Sequence, residues 1–207
     1  MTPERPRGVD AMNVAVEAQV VAFRDNSPFA PARPGSAGLY AAVDLGTNAC
    51  RMLIAQPRGS QFVVVDSFSK TVQLAAGLEA SGRLSRASMG RTLQALRICQ
   101  KKIEQHGVVR MRFVATEACR RARNAKEFMR QVRKETGLAV EIIAAEEEAR
   151  LAVISCAPLV NPSTEQLLVV DMGGGSTELV WIDLSAVPPE DRPHRRRHRR
   201  GRPAARP

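Results

Sequence analysis

Leu167 to Asp183 reads LLVVDMGGGSTELVWID, and the reading of this stretch decides the fold. Four apolar residues run into Asp171. Gly173, Gly174 and Gly175 follow, then Ser176, Thr177 and Glu178, and then a second apolar run. The pattern predicts a short buried strand, a glycine turn and a partner strand. Residues without a Cβ can take positive φ and close bare N–H groups around an anion. Asp171 and Glu178 bracket that turn. An anion between two carboxylates calls for a cation, and the simplest pair is a phosphate with Mg²⁺. The plainer alternative is a glycine-rich hairpin turn with no ligand. The stretch is not a dinucleotide fingerprint: counted from Gly173, the last glycine position of that pattern falls on Glu178.

The same design occurs earlier. Leu39 to Asp44 (LYAAVD) is apolar and ends in Asp. Leu45, Gly46, Thr47 and Asn48 form a turn, and Ala49 to Gln56 reads as the returning strand. Asp44 and Asp171 lie 127 positions apart, each followed two residues later by Gly. Each turn offers hydroxyls, from Thr47 and from Ser176 and Thr177. Asp before Gly is common in ordinary turns. Two such hairpins in one chain point to a duplicated element that holds a phosphate chain from both sides of a cleft.

Between the hairpins, Gln61 to Leu74 reads as a third strand, completing an antiparallel meander. Ser85 to His106 is the clearest helix: Met89, Leu93, Leu96, Cys99 and Ile103 recur at three and four, with Ser85 as N-cap and Gly107 as terminator. Arg91, Arg97, Lys101 and Lys102 read as its solvated face. Val108 to Ala115 alternates like a strand and delivers Thr116, Glu117 and Arg120 to a strand end, where open α/β sheets place ligands. Asn124 with Glu127 forms a capping-box pattern for the next helix, which Gly137 ends. Leu138 to Ala144 is a short strand, and Glu146 to Ala157 a helix opened by three glutamates. Strands alternating with helices after a meander give an α/β class.

The 207 residues are 44% hydrophobic but only 4% aromatic, so Leu, Val, Ile and Ala must fill the core. The net charge of +10 suggests nucleic acid or membrane partners until its distribution is read. Ser185 to Pro207 carries eight Arg against Glu190 and Asp191, hence +6, leaving +4 for the other 184 residues. This tail has no apolar periodicity and reads as disordered, able to touch nucleic acid or polyphosphate non-specifically. Met1 to Gly38, with five prolines, reads as a flexible leader. Cys50, Cys99, Cys119 and Cys156 are widely spaced. They read as buried free thiols of a reducing, cytoplasmic compartment rather than as a zinc site. No run of 18 apolar residues exists to span a membrane.

D-L-G-T-N from Asp44, A-E-E-E-A-R from Ala145 and D-M-G-G-G-S-T-E-L-V from Asp171 together resemble the exopolyphosphatase and guanosine pentaphosphate phosphohydrolase (Ppx/GppA) family. The resemblance covers about Leu39 to Asp183. It implies the ribonuclease H-like superfold of actin, the sugar kinases and the heat-shock chaperone ATPases, with a mixed sheet. It also implies a first domain over 39–158, the opening hairpin of a second over 165–184, and a chain truncated there.

Glu148, the glutamate before Ala149-Arg150, matches the family's general base, whereas Glu146 and Glu147 fit a helix first turn on dipole grounds alone. Arg120 matches an Arg that faces the phosphate chain. Asp171 and Glu178 match the Mg²⁺ site. Asp44, Gly46, Thr47 and Asn48, with Gly173, Gly174, Gly175 and Ser176, match the phosphate grip. Ser69-Lys70-Thr71 is less basic than the equivalent loop of relatives. The activity implied is Mg²⁺-dependent release of terminal phosphate from polyphosphate or guanosine pentaphosphate (pppGpp), with the truncation expected to leave it weak or absent in the isolated chain. A homodimer is compatible with the family. The competing expectations are a kinase of the same superfold and a non-catalytic polyanion-binding fragment acting through the tail.

Overall fold

The computed structural model describes residues 38–58, 61–161 and 163–187. The proposed leader lies almost wholly outside these residues, and so does the tail beyond Val187. Three antiparallel strands open the fold: β1 (Tyr40–Leu45), β2 (Ala49–Arg58) and β3 (Gln61–Thr71). β4 (Arg110–Ala115) and β5 (Val140–Ile142) then add parallel to β1, giving the order β3-β2-β1-β4-β5. This is the mixed ribonuclease H-like sheet that the resemblance implies. β3 ends earlier than the apolar pattern suggests. Val72 and Leu74 leave the ladder and are fully buried instead, while the N–H groups of Val72 and Gln73 both bond to the Asn48 carbonyl.

The helices are α1 (Leu78–Ser81), α2 (Arg86–Gln105), α3 (Glu117–Arg121), α4 (Ala125–Thr136) and α5 (Ala145–Cys156). The Ser85 hydroxyl caps α2 by accepting from the Ser88 N–H, and Gly107 at φ 61° lets the chain leave the helix in a left-handed turn. Leu93, Leu96, Cys99 and Ile103 of α2 join Phe128 and Val132 of α4 against Val43, Leu45, Cys50, Met52, Ile54 and Phe113 of the sheet. Burying each large apolar side chain contributes about 1.5–3 kcal/mol. These contacts therefore decide which sheet face is covered. The other face carries Ala42, Asp44, Arg51 and Val114, and lines a cavity of about 570 Å³ bordered by Leu151 of α5.

The outward side of α2 is less solvated than its charges suggest. Arg91 donates to the Val72 and Gln73 carbonyls, Arg97 pairs with Glu135, and Lys102 pairs with Asp66. Asn124 departs from the capping box. Its side chain makes no cap bond; it is buried, accepting from the Leu84 N–H at 2.8 Å and donating to the Leu84 carbonyl at 3.0 Å. A long-range pair of backbone groups outcompetes the local cap, because leaving both unpaired in the core costs more.

A second sheet holds β6 (Gln166–Met172) and β7 (Thr177–Asp183), paired antiparallel. Its alternation puts Leu167, Val169, Asp171, Glu178, Val180 and Ile182 on the more buried side. Leu168, Val170, Met172, Leu179 and Trp181 are exposed on the other. Among the described residues no helix is long and apolar enough to cross a membrane.

Candidate active site

The C-terminal ends of the parallel strands converge. Leu45 at the end of β1 accepts from the Thr116 N–H after β4, and Ala115 accepts from the Ile143 N–H after β5. The first turn leaves β1 here. Gly46 donates to the Ala49 carbonyl at 3.0 Å, and the carbonyls of Thr47 and Asn48 accept from residues 72–75. The Gly46-Thr47-Asn48 backbone is therefore clamped from behind, and Asp44 stands at its root opposite Arg51 in the ladder.

The second turn is Gly173 to Ser176, closed by the Gly173 N–H donating to the Ser176 carbonyl at 2.8 Å. Asp171 and Glu178 are register partners just below it, on the same side of the hairpin. The register thus sets the two residues opposite each other across the hairpin, at the two positions expected to hold Mg²⁺. The expected reason for the glycines does not hold: none of Gly173, Gly174 and Gly175 has positive φ. Their role is closeness. A Cβ on Gly174 would lie 3.3 Å from the Asn48 Cβ, and one on Gly175 would lie 3.1 Å from both Thr47 Cγ2 and Oγ1. The two turns, 127 residues apart in sequence, pack on each other through these missing side chains.

The three glutamates that open α5 have three environments. Glu146 is exposed. Glu147 is bonded to Arg150 and Arg112, and those guanidinium groups, Arg150 first, hold its carboxyl below the usual range. Glu148 is half-buried, and burial pushes its proton affinity up. The Arg120 bond offsets part of that rise, while the charges of Glu178 and Asp44 add to it. Asp44 is also raised, first by burial and then by Asp171, with Arg51 opposing. Asp44, Glu148, Asp171 and Glu178 thus form one acidic cluster spanning both turns and α5. Burial and then that field raise the Glu148 proton affinity, the direction that suits a group accepting a proton from water.

Arg120 on α3 reaches the same place. Its Nη1 donates to Glu148 Oε2 at 2.6 Å and to the Ile143 carbonyl at 3.2 Å, and its Nη2 donates to Glu117 Oε2 at 3.0 Å. Glu117 is expected at this strand end, but its pairing with Arg120 is not among the expectations. The available signal was the i,i+3 spacing of Glu117 and Arg120 on one helix. Asp171 and Glu178 supply only hard oxygen donors. Among the described residues no group of three or more His, Cys, Asp or Glu forms a ready metal cage.

Residues 53–188 match the family model described as the Ppx/GppA phosphatase family. The solved Ppx/GppA family member of Aquifex aeolicus is 36% identical, with a TM-score of 0.64, over 70% of this chain and 47% of that one. An exopolyphosphatase-like protein is 31% identical, with a TM-score of 0.67, over 75% of this chain and 48% of its own. An exopolyphosphatase from Cytophaga hutchinsonii is 26% identical, with a TM-score of 0.67, over 70% and 46%. The chain spans about half the length of these relatives. With the three motifs gathered at one junction and the family model covering most of the described residues, this chain belongs to the Ppx/GppA phosphatase family.

Proposed function

We propose that the chain carries the phosphate-cleaving centre of a Mg²⁺-dependent phosphohydrolase. It removes terminal phosphate from inorganic polyphosphate or from guanosine pentaphosphate. The observation that carries this reading is the packing of two Asp-x-Gly turns on each other, with Glu148 facing both. Backbone N–H groups and hydroxyls of Gly46, Thr47 and Asn48 on one side, and of Gly173 to Ser176 on the other, bind phosphoryl oxygens. The Arg120 guanidinium donates to the phosphoryl group that is attacked. Glu148 orients a water and accepts its proton on the carboxylate, a role favoured by the burial that makes it more basic.

Mg²⁺ fits the oxygen donors that the two strands supply. Mg²⁺ binds through one or two carboxylates plus phosphate oxygens and waters, so a three-ligand protein cage is not required. Asp171 and Glu178, paired across the hairpin, would hold it. When bound, the ion offsets the charge of the phosphate chain. The experiment is phosphate release from long-chain polyphosphate and, separately, from guanosine pentaphosphate, each with Mg²⁺ and with excess chelator. Metal-dependent release from either supports the reading and identifies the substrate. Release unaffected by the chelator contradicts the metal assignment.

A further inference from the structure

Arg120 stands between two carboxylates that are carried differently. Glu117 belongs to the same short helix, three residues earlier, so its bond persists wherever α3 goes. Glu148 comes from α5, 28 residues along the chain. All three side chains are largely shielded, at 17% exposure for Arg120, 21% for Glu117 and 18% for Glu148. Glu117 also reaches the second turn: its Cγ is 3.6 Å from where a Cβ on Gly175 would sit.

A phosphoryl group arriving at the guanidinium competes with carboxylates for the same N–H donors, because both are charged oxygen acceptors of similar geometry. The acceptor that yields is the one on another element. The local acceptor stays and fixes where the guanidinium points. We propose that Glu117 is a positioning residue that keeps Arg120 aimed into the cleft while the Arg120 Nη1 donor passes from Glu148 to a bound phosphoryl group. The exchange frees the Glu148 carboxylate for water. This rests on the phosphohydrolase reading above.

Charge alone gives the opposite sign. A carboxylate beside an anion site repels the anion, so deleting it should tighten binding. Positioning makes the deletion loosen binding. The test is calorimetric titration of inorganic tripolyphosphate into the 207-residue chain and its variants at fixed ionic strength, with far-ultraviolet circular dichroism as the check on folding. Glu117→Ala is expected to weaken binding by about threefold to tenfold, the effect of one hydrogen bond of ordinary net strength lost through misorientation. Glu117→Gln keeps an acceptor of the same shape and is expected to bind at least as tightly as wild type. Arg120→Ala weakens binding, and in that background Glu117→Ala no longer does so. If Glu117→Ala binds as tightly as wild type or tighter while Arg120→Ala weakens, the positioning role is overturned and the phosphate reading stands. If Arg120→Ala binds like wild type, or wild type does not bind, both are overturned.

Discussion

Gly175→Ala tests the contact on which the site depends. A Cβ there would meet Thr47 Cγ2 and Oγ1 at 3.1 Å, where favourable contact begins near 3.5 Å. The turn must therefore retreat by a few tenths of an ångström. Gly175 lacks positive φ, so the added methyl brings steric conflict without backbone strain. Overpacking of this kind costs about 1–3 kcal/mol. Restricting the unfolded chain returns about 0.4–1 kcal/mol. The net loss is ~1–2 kcal/mol, read as a lower urea midpoint. Trp181 is the only tryptophan and lies on β7, so its fluorescence follows this hairpin. Thr47→Ala removes both clashing atoms. The double variant should therefore recover most of the loss, with a coupling well beyond the ~0.5 kcal/mol expected of independent sites. If Gly175→Ala loses nothing and the cycle is additive, the two turns do not touch.

Other consequences are more local. Asn124→Ala strands the Leu84 N–H and carbonyl in the core and should cost about 2–4 kcal/mol by thermal or urea unfolding. Removing Arg120 takes away the group that holds the Glu148 proton affinity down, so the acid limb of any pH–rate profile should move to higher pH in Arg120→Ala. Cys50, Cys99 and Cys119 are buried, and burial pushes the Cys119 thiol up to about 12. Iodoacetamide should therefore label Cys156 first in the native protein and all four after denaturation, as read by mass spectrometry. Lys102 and His106 hold the Asp66 carboxyl at about 2, below its ordinary 3.8. A depressed acid stabilises the fold above its unfolded value and stops doing so as pH falls through its folded one. The melting difference between wild type and Asp66→Asn should persist at neutral pH and close between pH ~4 and ~2.

The meander, α2 and the two Asp-x-Gly hairpins were legible because their signals are local: alternation, three-and-four spacing, and glycine punctuation. Less legible was whatever depends on residues distant in sequence. Three glycines suggest positive φ when read alone; only the approach of Thr47 and Asn48 reveals that the missing Cβ atoms make room for another turn. Asn124 carries a capping signature, but a backbone pair 40 residues away claims its side chain. Arg91 and Lys102 look solvated by position on the helix, yet the Val72 carbonyl and Asp66 lie within their reach. Glu148 stands out from its neighbours by motif alone in the sequence. In the fold it does so by physics, because Glu147 is occupied by two arginines while Glu148 shares a field with Asp44 and Glu178.

The most direct measurement compares wild type and Glu148→Gln in Mg²⁺-dependent phosphate release from long-chain polyphosphate. Replacing a general base with an isosteric amide lowers turnover by about 10²–10⁴-fold. Glu148→Gln should show that loss together with retained tripolyphosphate binding, since the phosphate grip lies in the two turns and Arg120. Equal release by the two proteins would contradict the general-base role, because Glu148 would then not be the group that activates water.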